Sequence, residues 1–256
     1  MTSVQRIRQP RVAEIVAARL RDDILSGRIK EGDVLPSQDG LLSEFGVSPP
    51  ALREAIHILE TDGLISVRRG NVGGAVVHLP SAERTAQMIS MVLQTRAATP
   101  ADVSGALMHL EPICAGMCAA REDRMTEVVP YLEAEINTQT EQFDNLSRYV
   151  PNARRFHEAL VSRCGNEPMI LLIGSLELIW SSHESSVWSH EGDPVEHKTM
   201  RAALRDHQRL LDAIRDGNEA RTVRLAQEHL AVARRNTLAV GADKTIEAKL
   251  ISNAEH

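Results

Sequence analysis

Between Ser48 and Val77 the chain reads SPPALREAIHILETDGLISVRRGNVGGAVV, and its polar donors fall into two groups. Arg53 and His57 lie one helical turn apart, with Ser48 just ahead of them, and Arg68, Arg69 and Asn71 cluster in a glycine-rich connection. Guanidinium groups bind phosphate oxygens and, as bidentate donors, the acceptor edge of guanine, each such base contact contributing ~1–3 kcal/mol of discrimination. The chemistry these residues offer is recognition of DNA by hydrogen bonds and charge.

Such contacts need rigid elements behind them. Ser48 is placed to cap a helix through its hydroxyl, and Pro49 and Pro50 fall in the first turn, where amide hydrogens have no intrahelical partner. The prolines therefore start the helix. Leu52, Ala55, Ile56 and Leu59 form its apolar face, leaving Arg53 and His57 on or near the other side, and Gly63 ends it. LISV and AVV read as two short strands joined by the RRGNVGG connection. Upstream, Val12, Ile15, Val16, Leu20 and Ile24 recur at helical spacing, and PSQDGLLSEFG supplies a short second helix closed by Gly46. Helix, turn, helix and a two-stranded wing is the winged helix-turn-helix plan, whose second motif helix enters the major groove.

Over roughly residues 11–78 the chain resembles the N-terminal domain of GntR-type bacterial transcription regulators, through GD.LPS, FGVS, LREAI, LE.DGLI and the wing glycines. The resemblance implies DNA contacts from Ser48, Arg53, His57, Arg68, Arg69 and Asn71. Two positions depart from it: Asp39 and Pro49 stand where relatives carry arginines. The expectation is a different or weaker operator, with the wing arginines supplying part of the lost charge.

Whole-chain charge neither adds to this nor forbids it. The net charge of -6 lies entirely beyond Pro80, because residues 1–80 hold ten basic and ten acidic residues. Nucleic-acid binding depends on local phosphate contacts, so a neutral head on an acidic protein is permissive. The composition, 43% hydrophobic with 3% aromatic, points to a globular, mainly helical protein. The N-terminus does not resemble a secretory signal, and the longest apolar run, MILLIGSLELIW, is too short to span a bilayer, so a cytoplasmic location is expected.

After Pro80 the pattern is helix after helix. Thr99 caps one that opens at Pro100 with Asp102 beside its positive end. Further helices are expected at 126–145, 148–163, 167–188, 194–216 and 219–240, and a frayed tail from 241. Over roughly residues 83–238, RRFHEALVSRCGNEPM and DHQRLLDAIRDGNEARTVRLAQEHL resemble the FCD ligand-sensing bundle of the FadR subgroup. The likeness implies a divalent metal, zinc or similar, on His157, His207 and His229, the last two twenty-two positions apart. It places an aspartate ligand where this chain has Ala153 and an effector-binding arginine where it has Leu107, one turn before Glu111. Leu107, Glu111, Asn152 and Asn166 are the candidate effector-binding residues. Losing both charged groups makes the pocket less polar and favours an acyl or other lipid-derived acid. The apolar neighbours of His207 (Leu210, Leu211, Ile214) and of His229 (Leu225, Ala226, Val232) turn both inward. His183, His190 and His197 read as surface residues, and Cys114, Cys118 and Cys164 as reduced, buried small hydrophobes.

The expected architecture is mainly α: a winged helix-turn-helix domain at 1–80 with a small β wing, an antiparallel all-α bundle at 81–240 for effector binding and dimerisation, and a flexible tail at 241–256. The expected function is a homodimeric regulator, a repressor, gripping an inverted-repeat operator and answering a small acidic or acyl-type metabolite. Two rivals are a metal-dependent hydrolase using the three histidines, which lacks a placed general base, and a DNA-free helical adaptor.

Overall fold

The structure is a computed structural model that describes residues 11–68, 74–143, 146–184, 194–241 and 245–248. The chain forms two compact units, Met1–Ser81 and Ala82–His256.

In the first unit, α1 (Val12–Leu25), α2 (Gln38–Phe45) and α3 (Pro49–Thr61) precede the antiparallel strands β1 (Ile65–Arg68) and β2 (Gly74–Val77). Ala13, Val16, Ala17, Leu20 and Ile24 of α1 are buried in one core with Leu52, Ala55 and Leu59 of α3. Burying each of the larger aliphatic side chains contributes roughly 1.5–3 kcal/mol. The Ser37 hydroxyl accepts from the Gly40 N–H to cap α2, and Gly46 ends that helix in the left-handed region at φ 61°. The wing register runs from Ile65 opposite Val77 to Arg68 opposite Gly74, and Val34 bridges to Val76 on the other side of β2. Position 74 needs glycine, since a Cβ there would lie 2.5 Å from Val34 Cγ1.

Ser48 precedes α3, but its hydroxyl makes no capping hydrogen bond, contrary to the sequence reading. Pro50 at the second helical position removes one of the two amide donors that such a cap serves, leaving the Ala51 N–H as the other. Ser48 contributes only its carbonyl, to the Leu52 N–H at 3.0 Å.

The second unit comprises α4 (Ala82–Thr95), α5 (Pro100–Ala120), α6 (Arg124–Glu127), α7 (Val129–Glu141), α8 (Leu146–Ser162), α9 (Glu167–Glu184), α10 (Pro194–Arg215) and α11 (Glu219–Gly241). Thr99 and Asp102 form a reciprocal capping box around Pro100. α5 is the central helix, packed against α8, α9, α10 and α11. Its apolar length would suffice to cross a membrane, but its side chains supply the core on several faces, including Val103, Leu107, Cys114, Ala115, Cys118 and Ala119. Close packing of α5 on α11 depends on Gly116, whose Cβ would lie 2.7 Å from Val223 Cγ2.

Two expectations are corrected. The single helix expected at 126–145 is broken at Val128, because Pro130 lacks the N–H and crowds the carbonyl four residues back, so α6 ends and α7 begins around it. The tail is not frayed at 245–248: Ile246 is fully buried, its N–H donating to the Ala98 carbonyl at 2.9 Å, and the Ala248 N–H donates to Gln94 Oε1 at 3.0 Å. The segment buries a single isoleucine and is held by these two hydrogen bonds, a signal too short to stand out in a polar tail.

Candidate functional site: a recognition helix and a buried histidine cluster

In the first unit, Ser48 is exposed just ahead of α3, α3 presents Arg53 and His57 to solvent, and Arg68 is exposed at the end of β1. Arg69 and Asn71 lie outside the described residues. Arg11 pairs with Glu54 at 3.4 Å, Arg21 with Asp62, and Arg19 and Arg28 with Asp23. Arg53 and Arg68 are in no ion pair among the described residues, so neither must break one to reach a phosphate. Asp39 sits in the first turn of α2, where its charge favours the positive helix end but would repel a phosphate.

The second unit gathers His157 from α8, His207 from α10 and His229 from α11, their ligand atoms all within 4.8 Å of one another. His229 Nε2 lies 3.2 Å from His207 Nε2 and 3.3 Å from His157 Nε2. Each Nδ1 turns outward to an oxygen on another helix: His157 to Glu111 Oε1 at 2.5 Å, His207 to Gln139 Oε1 at 2.8 Å, His229 to Asp206 Oδ2 at 3.7 Å. The Gln139 oxygen can only accept, so the His207 hydrogen is on Nδ1 and its Nε2 is bare. One hydrogen on His229 Nε2 can satisfy only one of the two gaps facing it. A cation shared by the three nitrogens removes this conflict. A tetrahedral zinc with Zn–N of about 2.0–2.1 Å sets neighbouring nitrogens about 3.3–3.4 Å apart, close to the two edges that meet at His229. The donor set therefore fits a divalent ion.

Electrostatics agree with neutral ligands. Burial pushes His207 well below its usual value, with the two neighbouring histidines adding to the shift, and burial lowers His229 against the pull of Asp206. Its interaction with His229, opposed by partial burial, holds Asp206 below the usual carboxylate range. Burial raises Glu111 to about 7, against a hydrogen bond to Glu177 and the nearby His229.

Leu107 is buried one turn before Glu111, and Ala153, one turn before His157, offers no ligand. Asn166 uses its side-chain oxygen to cap α9, accepting from the Met169 N–H at 3.1 Å. The side chain of Asn152 lies outside the described set, as do those of His183, His190 and His197. Glu158, next to His157, points instead to Arg154 at 2.9 Å, so it is no general base for the cluster. All three cysteines are buried free thiols, and burial pushes Cys118 up to about 12 and Cys114 higher still, so they pack as small apolar groups. Sequence reasoning missed Gln139, Asp206 and Glu177. Only Asp206 left a local trace, as the residue beside His207.

A winged helix-turn-helix unit and a helical bundle closed around inward-facing histidines together define a DNA-binding transcription regulator carrying its own sensory domain. The description "Bacterial regulatory proteins, gntR family" matches residues 12–76, and "FCD domain" matches residues 102–232, just over half of the chain. The chain belongs to the FCD-domain regulators with a gntR-type DNA-binding head. It is 24% identical over 239 residues to the HTH-type transcriptional repressor NanR of Klebsiella aerogenes, covering 91% of this chain and 88% of that protein. It is 25% identical over 225 residues to NanR of Escherichia coli K12, covering 86% and 82%. The Streptococcus agalactiae GntR structure shares the fold at a TM-score of 0.67, with 21% identity over 87% of this chain and 99% of that one. The matched families are regulators of transcription, which sets the hydrolase reading aside.

Proposed function

We propose that this chain is a cytoplasmic repressor of the FadR subgroup that binds an inverted-repeat operator as a homodimer. Its operator affinity is set by a small acid held at a divalent ion in the bundle. The observation that carries the proposal is the convergence of three imidazole Nε2 atoms whose Nδ1 atoms are all turned to outer partners. That arrangement suits zinc or a similar ion with a position left open for an effector carboxylate. Leu107 and Ala153, in place of the charged groups implied by the family resemblance, favour an acid with an apolar body, such as an acyl acid. The repressor sense is supported by the names of the NanR relatives. Dimerisation follows the logic of palindromic half-sites, and effector binding works by its differential affinity for the DNA-bound and free states.

The test is selection of sheared genomic DNA with purified protein, followed by footprinting across a salt series with zinc and a panel of short- to medium-chain acyl acids. One inverted repeat with two protected half-sites, released by a subset of the acids, is expected. No enrichment at any salt overturns the proposal, and enrichment indifferent to zinc and every acid overturns its sensory half.

A further inference from the structure

His207 is 1% exposed, and its ring is held from two directions. Phe156 stacks on it at 4.1 Å between centroids and 13° between planes, which fixes the plane of the imidazole. Stacking does not choose which edge of the ring points inward. A half-turn about the Cβ–Cγ bond would keep the stack and exchange Nε2 for carbon at the centre of the cluster. The choice of edge falls to Gln139, a side chain of α7 with no exposure, whose Oε1 receives the Nδ1 hydrogen at 2.8 Å. A flipped ring would set a carbon against that oxygen and leave a buried N–H facing the wrong way, a penalty the observed orientation avoids.

We infer that Gln139 is a positioning residue for the metal, the group that fixes the edge and tautomer of His207 so that its bare Nε2 faces His157 and His229. The inference rests on the metal reading above. It differs from the roles of Glu111 and Asp206, which are carboxylates: the amide supplies an acceptor without adding charge. Water has limited access to this interior position. The side chain of Asp206 is 29% exposed, so there water can replace a lost acceptor.

The test uses full-length protein and zinc ion alone, titrated against a chromophoric chelator, with wild type, Gln139→Leu, Gln139→Glu and Asp206→Asn. Removing an outer partner of a ligating histidine typically costs about 10–100-fold in metal affinity. Gln139→Leu is expected to lose zinc affinity in that range while keeping helical content and the DNA affinity of chelator-treated protein. Gln139→Glu, which returns an acceptor oxygen, is expected to recover most of the loss, and Asp206→Asn to lose less than Gln139→Leu. Should the leucine variant not fold, Gln139→Met removes the amide with a more adaptable side chain and carries the same comparison. Wild-type zinc binding with unaltered affinity in the amide-free variant overturns the inference alone, as does a loss that glutamate fails to rescue. Wild-type protein that takes up no zinc overturns the metal reading beneath it.

Discussion

Replacing Arg53 by alanine isolates the DNA contact of α3 with little structural disturbance, because the side chain is exposed and in no ion pair among the described residues. If Arg53 neutralises one phosphate per half-site, the two copies on an inverted repeat account for about 1.8 of the slope of log affinity against log salt, at ~0.9 per phosphate. If it reads guanine instead, the loss is about 1–3 kcal/mol per half-site, so ~2–6 kcal/mol over the operator, and it is confined to operators carrying that base. Fluorescence anisotropy with the selected operator and a scrambled duplex, from low to moderate salt, separates the two. Arg21→Ala is the control: Arg21 is engaged with Asp62, and its loss should leave the slope unchanged. An unchanged slope and affinity in Arg53→Ala, or an equal effect of Arg21→Ala, would refute the assignment of α3 as the DNA-reading element.

The remaining predictions concern the second unit. Burial lowers His207 and His229 below 6.5, so protons displace zinc only below that value; loss of zinc centred at or above pH 6.5 in a chelator competition would contradict the site. By the same sign, the stability these neutral imidazoles contribute to metal-free protein is present above pH 6.5 and declines as pH falls toward their folded values. Gly116→Ala should cost about 1–3 kcal/mol by overpacking against Val223, with partial recovery in Gly116→Ala/Val223→Ala, read by urea denaturation. Ile246→Ala should cost about 2–5 kcal/mol in the same assay, and an unchanged midpoint would mean the 245–248 segment is not docked in solution. Ala153→Asp should lower the melting temperature of metal-free protein by adding a charge at a half-buried position, yet increase the stabilisation zinc confers; an unchanged increment would show that position 153 does not face the ion.

The DNA-binding unit was legible because its signals are local. The prolines of α3, the left-handed Gly46 and the apolar spacing of α1 each act within a few residues of where they stand. The same locality explains two errors. Ser48 has the right type for a side-chain cap, but Pro50 removed one of the two amides it could have served and its hydroxyl does not engage the other. The pattern from 126 to 145 is helical on both sides of Pro130, and periodicity alone carried it across the break. The three clustered histidines came through the family resemblance, supported by the apolar neighbours of His207 and His229. Gln139 and Glu177 were invisible because their roles arise only when α7 and α9 pack against α10 and α5.

The outer partners also clarify what the substitution at Leu107 means. An arginine one turn before Glu111, as the resemblance implies for relatives, would hold the Glu111 carboxyl low by direct charge attraction. With leucine there, no such cation offsets burial, and burial prevails to raise Glu111 to about 7. Burial is the largest cause of that rise, and Glu177 and His229 oppose it. The site thus has an apolar side chain at the position where the resemblance implies a guanidinium. A leucine has no donor to offer a polar ligand, whereas an arginine has five. On the proposed reading, an effector entering here would draw its anchoring from an ion held by the histidines and the rest of its affinity from apolar contact, which favours an acyl-type acid over a small hydroxy acid.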